Sequence, residues 1–105
     1  MARHFLTLKD LSSSELVALI HRAIALKRDP TAPETAALLR LRTMVLIFEK
    51  SSTRTRISFE VACAHLGGSS VFLSPSDSQM SRGESVSDTA RIVSSMADLI
   101  VMRTG

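Results

Sequence analysis

Thr43-Met44-Val45-Leu46-Ile47-Phe48-Glu49-Lys50-Ser51-Ser52-Thr53-Arg54-Thr55-Arg56 is the stretch whose reading decides the fold. Six residues without a charge, rich in branched and aromatic side chains, are too short for a core helix. They read as a strand buried on both faces, the pattern of a parallel sheet. Polar residues follow at once, and a helix is expected over 53–66. In that helix Ile57, Val61 and Ala64 share one face, and Phe59, Ala62, Cys63 and Leu66 share another. Gly67-Gly68 ends it.

Working outward, the segment before this strand opens on Ser12-Ser13-Ser14-Glu15, a capping box in which a serine hydroxyl and Glu15 satisfy orphan amides. Leu16, Leu19, Ile20, Ala23 and Leu26 recur at helical spacing, Lys27 and Arg28 suit the negative end, and Pro30 stops the helix. Residues 34–39 form a short helical turn. Downstream, 70–73 is a second short strand and 74–83 a loop. Glu84-Ser85 opens a third helix, with Val86, Ala90, Val93 and Ala97 on one face. Leu99-Ile100-Val101-Met102 is a third strand, with Arg103 just past its tip. Met44, Met96 and Met102 read as core.

The order is α-β-α-β-α-β, which predicts an α/β fold: a three-layer parallel sheet with right-handed crossovers. Ligands on such sheets bind beyond the carboxyl ends of the strands. That rule brings three segments to one rim: 49–56, 74–84 and Arg103.

Composition narrows the classes. The 105 residues are 45% apolar and 22% charged, which excludes intrinsic disorder. Thirteen Lys plus Arg against ten Asp plus Glu leave a net charge of +3. That surplus is too small to argue for nucleic acid, and aromatic platforms are scarce with no Trp or Tyr; the placement of Arg54 and Arg56 in a hydroxyl-rich run, with Arg82 and Arg103 later, suits a small local anion site. One cysteine, Cys63, excludes a disulfide framework and a multi-thiolate metal centre. No apolar run suits a membrane span and no signal peptide is expected, so the default compartment is cytoplasmic.

At the start of the second helix, Ser52, Thr53 and Thr55 offer hydroxyl donors beside unpaired backbone amides and the positive helix end. Arg54 adds a planar fork that Lys cannot imitate. A plain serine cap with solvated arginines is the competing reading; a second arginine at the same rim, Arg103, favours an anion site. His4, His21 and His65 lack metal-ligand spacing, and Cys63 reads as inert packing.

The run Phe48-Glu49-Lys50-Ser51-Ser52-Thr53-Arg54-Thr55-Arg56-Ile57-Ser58-Phe59-Glu60 resembles the carbamoyl-phosphate signature of the aspartate and ornithine carbamoyltransferases. Phe48-Glu49-Lys50 is similar to the ornithine branch, since the aspartate branch usually carries Pro where Lys50 stands. His4-Phe5-Leu6, Leu8-Lys9-Asp10-Leu11-Ser12, Phe72-Leu73-Ser74-Pro75, Gln79-Met80, Arg82-Gly83-Glu84-Ser85 and Asp88-Thr89-Ala90-Arg91 resemble the same branch.

The resemblance implies carbamoyl transfer from carbamoyl phosphate to L-ornithine, giving L-citrulline and phosphate, with no cofactor and no metal. It implies that Ser52, Thr53, Arg54, Thr55, Gln79 and Arg103 bind carbamoyl phosphate, and that Arg54, Thr55 and Arg103 are catalytic. Gln79 would reach the site of a neighbouring subunit in a homotrimer. Arg82 and Glu84 contribute from the same loop, and Arg56 is structural, paired with a local carboxylate. Family members are far longer and have two α/β domains. Residues 1–105 therefore correspond to the N-terminal part of the carbamoyl-phosphate domain, without the ornithine-binding domain, and the chain alone is expected to be inactive. The alternatives are a non-catalytic anion-binding or assembly module and, less favoured, an aspartate carbamoyltransferase.

Overall fold

The computed structural model describes residues 3–49, 52–74 and 86–103. The chain divides into two compact units between Ala32 and Pro33.

The first unit contains a 3-10 turn, Leu8–Asp10, and helix α1, Ser13–Arg28. Both begin with a capping box. At α1 the Ser12 hydroxyl accepts the Glu15 N–H at 3.2 Å, and the Glu15 carboxylate accepts the Ser12 N–H at 2.9 Å. Arg3 also pairs with Glu15, at 2.8 Å. The predicted apolar stripe is present on α1, but no residue of the helix is buried. Within this unit a lone helix and a short turn offer nothing for the stripe to pack against.

The second unit is the α/β body expected from the sequence. Its elements are α2 (Pro33–Ala37), β1 (Thr43–Phe48), α3 (Thr53–His65), β2 (Ser69–Leu73), α4 (Val86–Ser94) and β3 (Leu99–Arg103). Compared with the expected order, α2 is a full short helix. The proposed start of α4 at Glu84-Ser85 lies outside the described residues. Arg103 is the last residue of β3, not a residue beyond it. The ladder extends that far because Phe48 stands opposite Arg103 and the Glu49 N–H donates to the Arg103 carbonyl at 2.9 Å.

The sheet is parallel throughout, in the order β2-β1-β3. The chain steps from β1 to β2 on one side, then crosses back past β1 to β3 on the other. Two crossovers of the same hand in opposite directions place their helices on opposite faces. The core divides accordingly. Met44, Leu46 and Phe48 pack with Cys63 of α3; Val45 and Ile47 pack with Val93 of α4. β1 is thus covered on both faces, which explains its unbroken apolar sequence.

Met44 is core, as expected, but Met96 and Met102 are 74% and 42% exposed. Met96 sits in the turn after α4, and Met102 is on an outer strand with only one strand neighbour among the described residues. Ile57 and Val61 are also exposed, so α3 meets the sheet through its Cys63 face. No helix among the described residues is long and apolar enough to cross a membrane.

Candidate functional site

The carboxyl ends of β1 and β3 meet the amino end of α3. Ser52 takes the N-cap position with extended backbone, yet its hydroxyl makes no cap hydrogen bond. The amides of the first turn are not closed off by Ser52, and they carry the partial positive charge of the helix end. Thr53 and Arg54 are exposed on that turn, and Thr55 is half-buried.

Arg103 reaches across from β3, its Nη1 donating to Thr55 Oγ1 at 3.5 Å. This contact joins residues 48 positions apart in the chain and sets a second guanidinium beside the helix start. Of the residues singled out in the sequence, Ser52, Thr53, Arg54, Thr55 and Arg103 gather at this mouth. Gln79, Arg82 and Glu84 lie outside the described residues, as do Lys50 and Ser51.

Arg56 has the local carboxylate expected of it: its Nε donates to Glu60 Oε2 at 3.0 Å, one helical turn on. It also has a partner the sequence did not reveal. Its guanidinium lies over the Phe72 ring at 3.7 Å from the centroid, and Phe72 meets Phe48 edge-on at 5.5 Å. The Arg56–Glu60 spacing could be read from the sequence; the ring beneath it depends on how β2 pairs.

At the opposite ends of the strands the chemistry differs. Asp98 accepts the Thr43 N–H at 2.9 Å and an Arg42 guanidinium at 3.1 Å. The Thr43 amide, and secondarily Arg42, hold the Asp98 carboxyl below its ordinary range. This latch ties the start of β1 to the residue before β3. Beside it is an open hollow of about 360 Å³, lined mainly by Leu38, Leu39, Met44, Cys63 and Leu99. Burial raises the Cys63 pKa, and the thiol donates to the Ser69 carbonyl.

Residues 3–105 match the family described as aspartate/ornithine carbamoyltransferase, carbamoyl-P binding domain. The chain belongs to that family. The ornithine carbamoyltransferase of Hydrogenovibrio crunogenus is 54% identical over 102 residues, which make up 97% of this chain and 34% of that protein. The anabolic ornithine carbamoyltransferase structure from Campylobacter jejuni is 47% identical, with a TM-score of 0.86 over 99% of this chain and 33% of that one. An aspartate transcarbamoylase from Trypanosoma cruzi, in complex with carbamoyl phosphate and aspartate, is 36% identical, with a TM-score of 0.84 over 95% of this chain and 33% of that one. The chain thus spans about a third of the length of the relatives it matches.

Proposed function

We propose that the chain is the N-terminal part of the carbamoyl-phosphate domain of an ornithine carbamoyltransferase, and that the mouth above β1 and β3 holds carbamoyl phosphate. The observation that carries this reading is the pairing of an α3 amino end left uncapped by Ser52 with Arg103 held against Thr55. Relatives named ornithine carbamoyltransferase, 54% identical for the one from Hydrogenovibrio crunogenus, favour ornithine over aspartate as the acceptor. Lys50 in the signature points the same way.

In the reaction, the side-chain amine of ornithine attacks the carbonyl carbon of carbamoyl phosphate. A C–N bond forms, the bond from carbon to the phosphate oxygen breaks, and the amine loses a proton as phosphate leaves. The protein must align two reactants and stabilise charge on the carbonyl oxygen and the leaving group. Ser52, Thr53, Arg54 and Thr55 take the phosphate through amides, hydroxyls and a guanidinium fork. Thr55 and Arg103 face the carbonyl oxygen. Gln79, with contributions from Arg82 and Glu84, completes the site in a neighbouring subunit of a homotrimer. The matched third of the relatives corresponds to their donor-binding part, and residues 52–55 with Arg103 are the share of the site that this stretch supplies.

Calorimetric titration with carbamoyl phosphate and with inorganic phosphate, at low and high salt, tests the site, and a citrulline assay tests turnover. Arg54→Lys keeps the charge but loses the fork, and should weaken binding roughly tenfold, with Arg54→Ala weaker still. Parent-like affinity in both variants would refute the assignment.

A further inference from the structure

Arg56, like Arg103, makes a side-chain contact between α3 and the sheet, but it is engaged differently. One face of its guanidinium is covered by the Phe72 ring, 3.7 Å from the centroid, and Nε is taken by Glu60 at 3.0 Å. The other oxygen of Glu60 accepts from Ser70 Oγ at 3.5 Å. Residues 56 and 60, one turn apart on α3, therefore hold residues 70 and 72, which share one face of β2. From Phe72 the contact passes edge-on to Phe48, which stands opposite Arg103 in the ladder. Arg103 returns to α3 through Thr55, the residue beside Arg56. Arg56, Phe72, Phe48, Arg103 and Thr55 thus form a closed circuit of contacts beside the mouth, two residues from α3 and one from each of the three strands.

We propose that Arg56 is a positioning residue for the anion mouth: clamped between Phe72 and Glu60, it fixes the first turn of α3 and so sets where Arg54 and Thr55 stand. The proposal rests on the anion-site reading above. A planar guanidinium suits this task because it can stack on a ring and pair with a carboxylate at once, whereas an ammonium has no plane to stack. Its charge is already answered by Glu60, so its effect on an anion runs through geometry.

Geometry and simple charge predict opposite signs for one substitution. Glu60→Gln removes a negative charge near the mouth, so attraction alone would tighten anion binding. If Arg56 acts by position, freeing it from Glu60 loosens the turn and weakens binding. The probe is inorganic phosphate, titrated calorimetrically into the 105-residue chain and its variants. The expected result for Glu60→Gln is a loss of roughly twofold, the worth of the helical ion pair, rising toward tenfold if the freed guanidinium also leaves the Phe72 ring. Arg56→Lys should lose a similar factor while keeping its charge. Far-UV dichroism and urea midpoints establish that each variant is folded; if Glu60→Gln is not, Arg56→Lys decides. Phosphate affinity equal to or tighter than the parent's in a folded Glu60→Gln or Arg56→Lys chain overturns the proposal alone. A parent chain that binds no phosphate overturns the anion-site reading, and this one with it.

Discussion

Gly67→Ala is expected to be among the most damaging single-methyl additions in the described part of the molecule. Gly67 has a φ of +88°, in the region that L side chains enter at a cost of about 1–2 kcal/mol. A Cβ built there would lie 2.0 Å from the Ala36 carbonyl oxygen, where 3.4 Å or more is ordinary contact. The obstacle is backbone and cannot swing away. Moving the Ala36 carbonyl by more than an ångström disturbs the turn after α2, where the Leu39 N–H donates to the Leu66 carbonyl at 2.7 Å. Strain, overpacking and a weakened hydrogen bond outweigh the small gain from stiffening the unfolded chain, for a net loss of about 3 kcal/mol. Against the roughly 5–15 kcal/mol typical of a small domain, that is a large fraction. Urea unfolding, followed by far-UV dichroism, should show the midpoint falling by about 1.5 M. Gly68→Ala is the control. Its Cβ would meet Cys63 Sγ at 2.9 Å, Leu39 Cβ at 3.1 Å and the Arg42 carbonyl oxygen at 3.3 Å, much milder overlaps on a backbone without a left-handed φ, so its cost should be nearer 1 kcal/mol. A Gly67→Ala loss no greater than that of Gly68→Ala would refute the reasoning.

Two further outcomes follow from the titrating groups. The carboxyls of Asp98 and Glu15 titrate below their ordinary values, Glu15 from 4.5 to about 2, chiefly through the amides of Thr43 and Ser12 respectively. A lowered folded pKa stabilises above the unfolded value and is lost as pH falls. Acid titration should therefore cost α1 its cap between about pH 4.5 and 2 and slacken the β1–β3 latch below 3.8, and Asp98→Asn should flatten the second change. The Cys63 thiol is 3% exposed with a raised pKa, so a disulfide-exchange reagent at pH 8 should label the native chain far more slowly than the urea-unfolded one; equal rates would contradict the burial.

The central strand was legible because burial on both faces leaves no room for polar alternation, and Thr43–Phe48 is the strand observed. The start of α3 was legible too, from hydroxyls and charge following an apolar run. What escaped the sequence depends on lateral placement. Nothing in Ser69–Leu73 says that β2 flanks β1 on the side away from β3, so the stack of Arg56 on Phe72 could not be foreseen. Asp98 looks like any loop aspartate until Thr43 is set beside it. Hydrophobicity alone assigns Met96 and Met102 to the core, but burial needs a covering neighbour as well as an apolar side chain. Gly67-Gly68 reads as a helix stop in the sequence, while the close approach of Ala36 to Gly67 emerges only when the chain is folded.

The order β2-β1-β3 has a practical consequence for anyone handling the chain. Among the described residues each flanking strand hydrogen-bonds to β1 alone, leaving a row of main-chain donors and acceptors along its far side. Such rims recruit further strands, from the same molecule or from another copy. Concentrated stocks should therefore self-associate by lateral strand addition, and a charged or proline residue on the outward side of β3 is the natural way to keep the chain in solution.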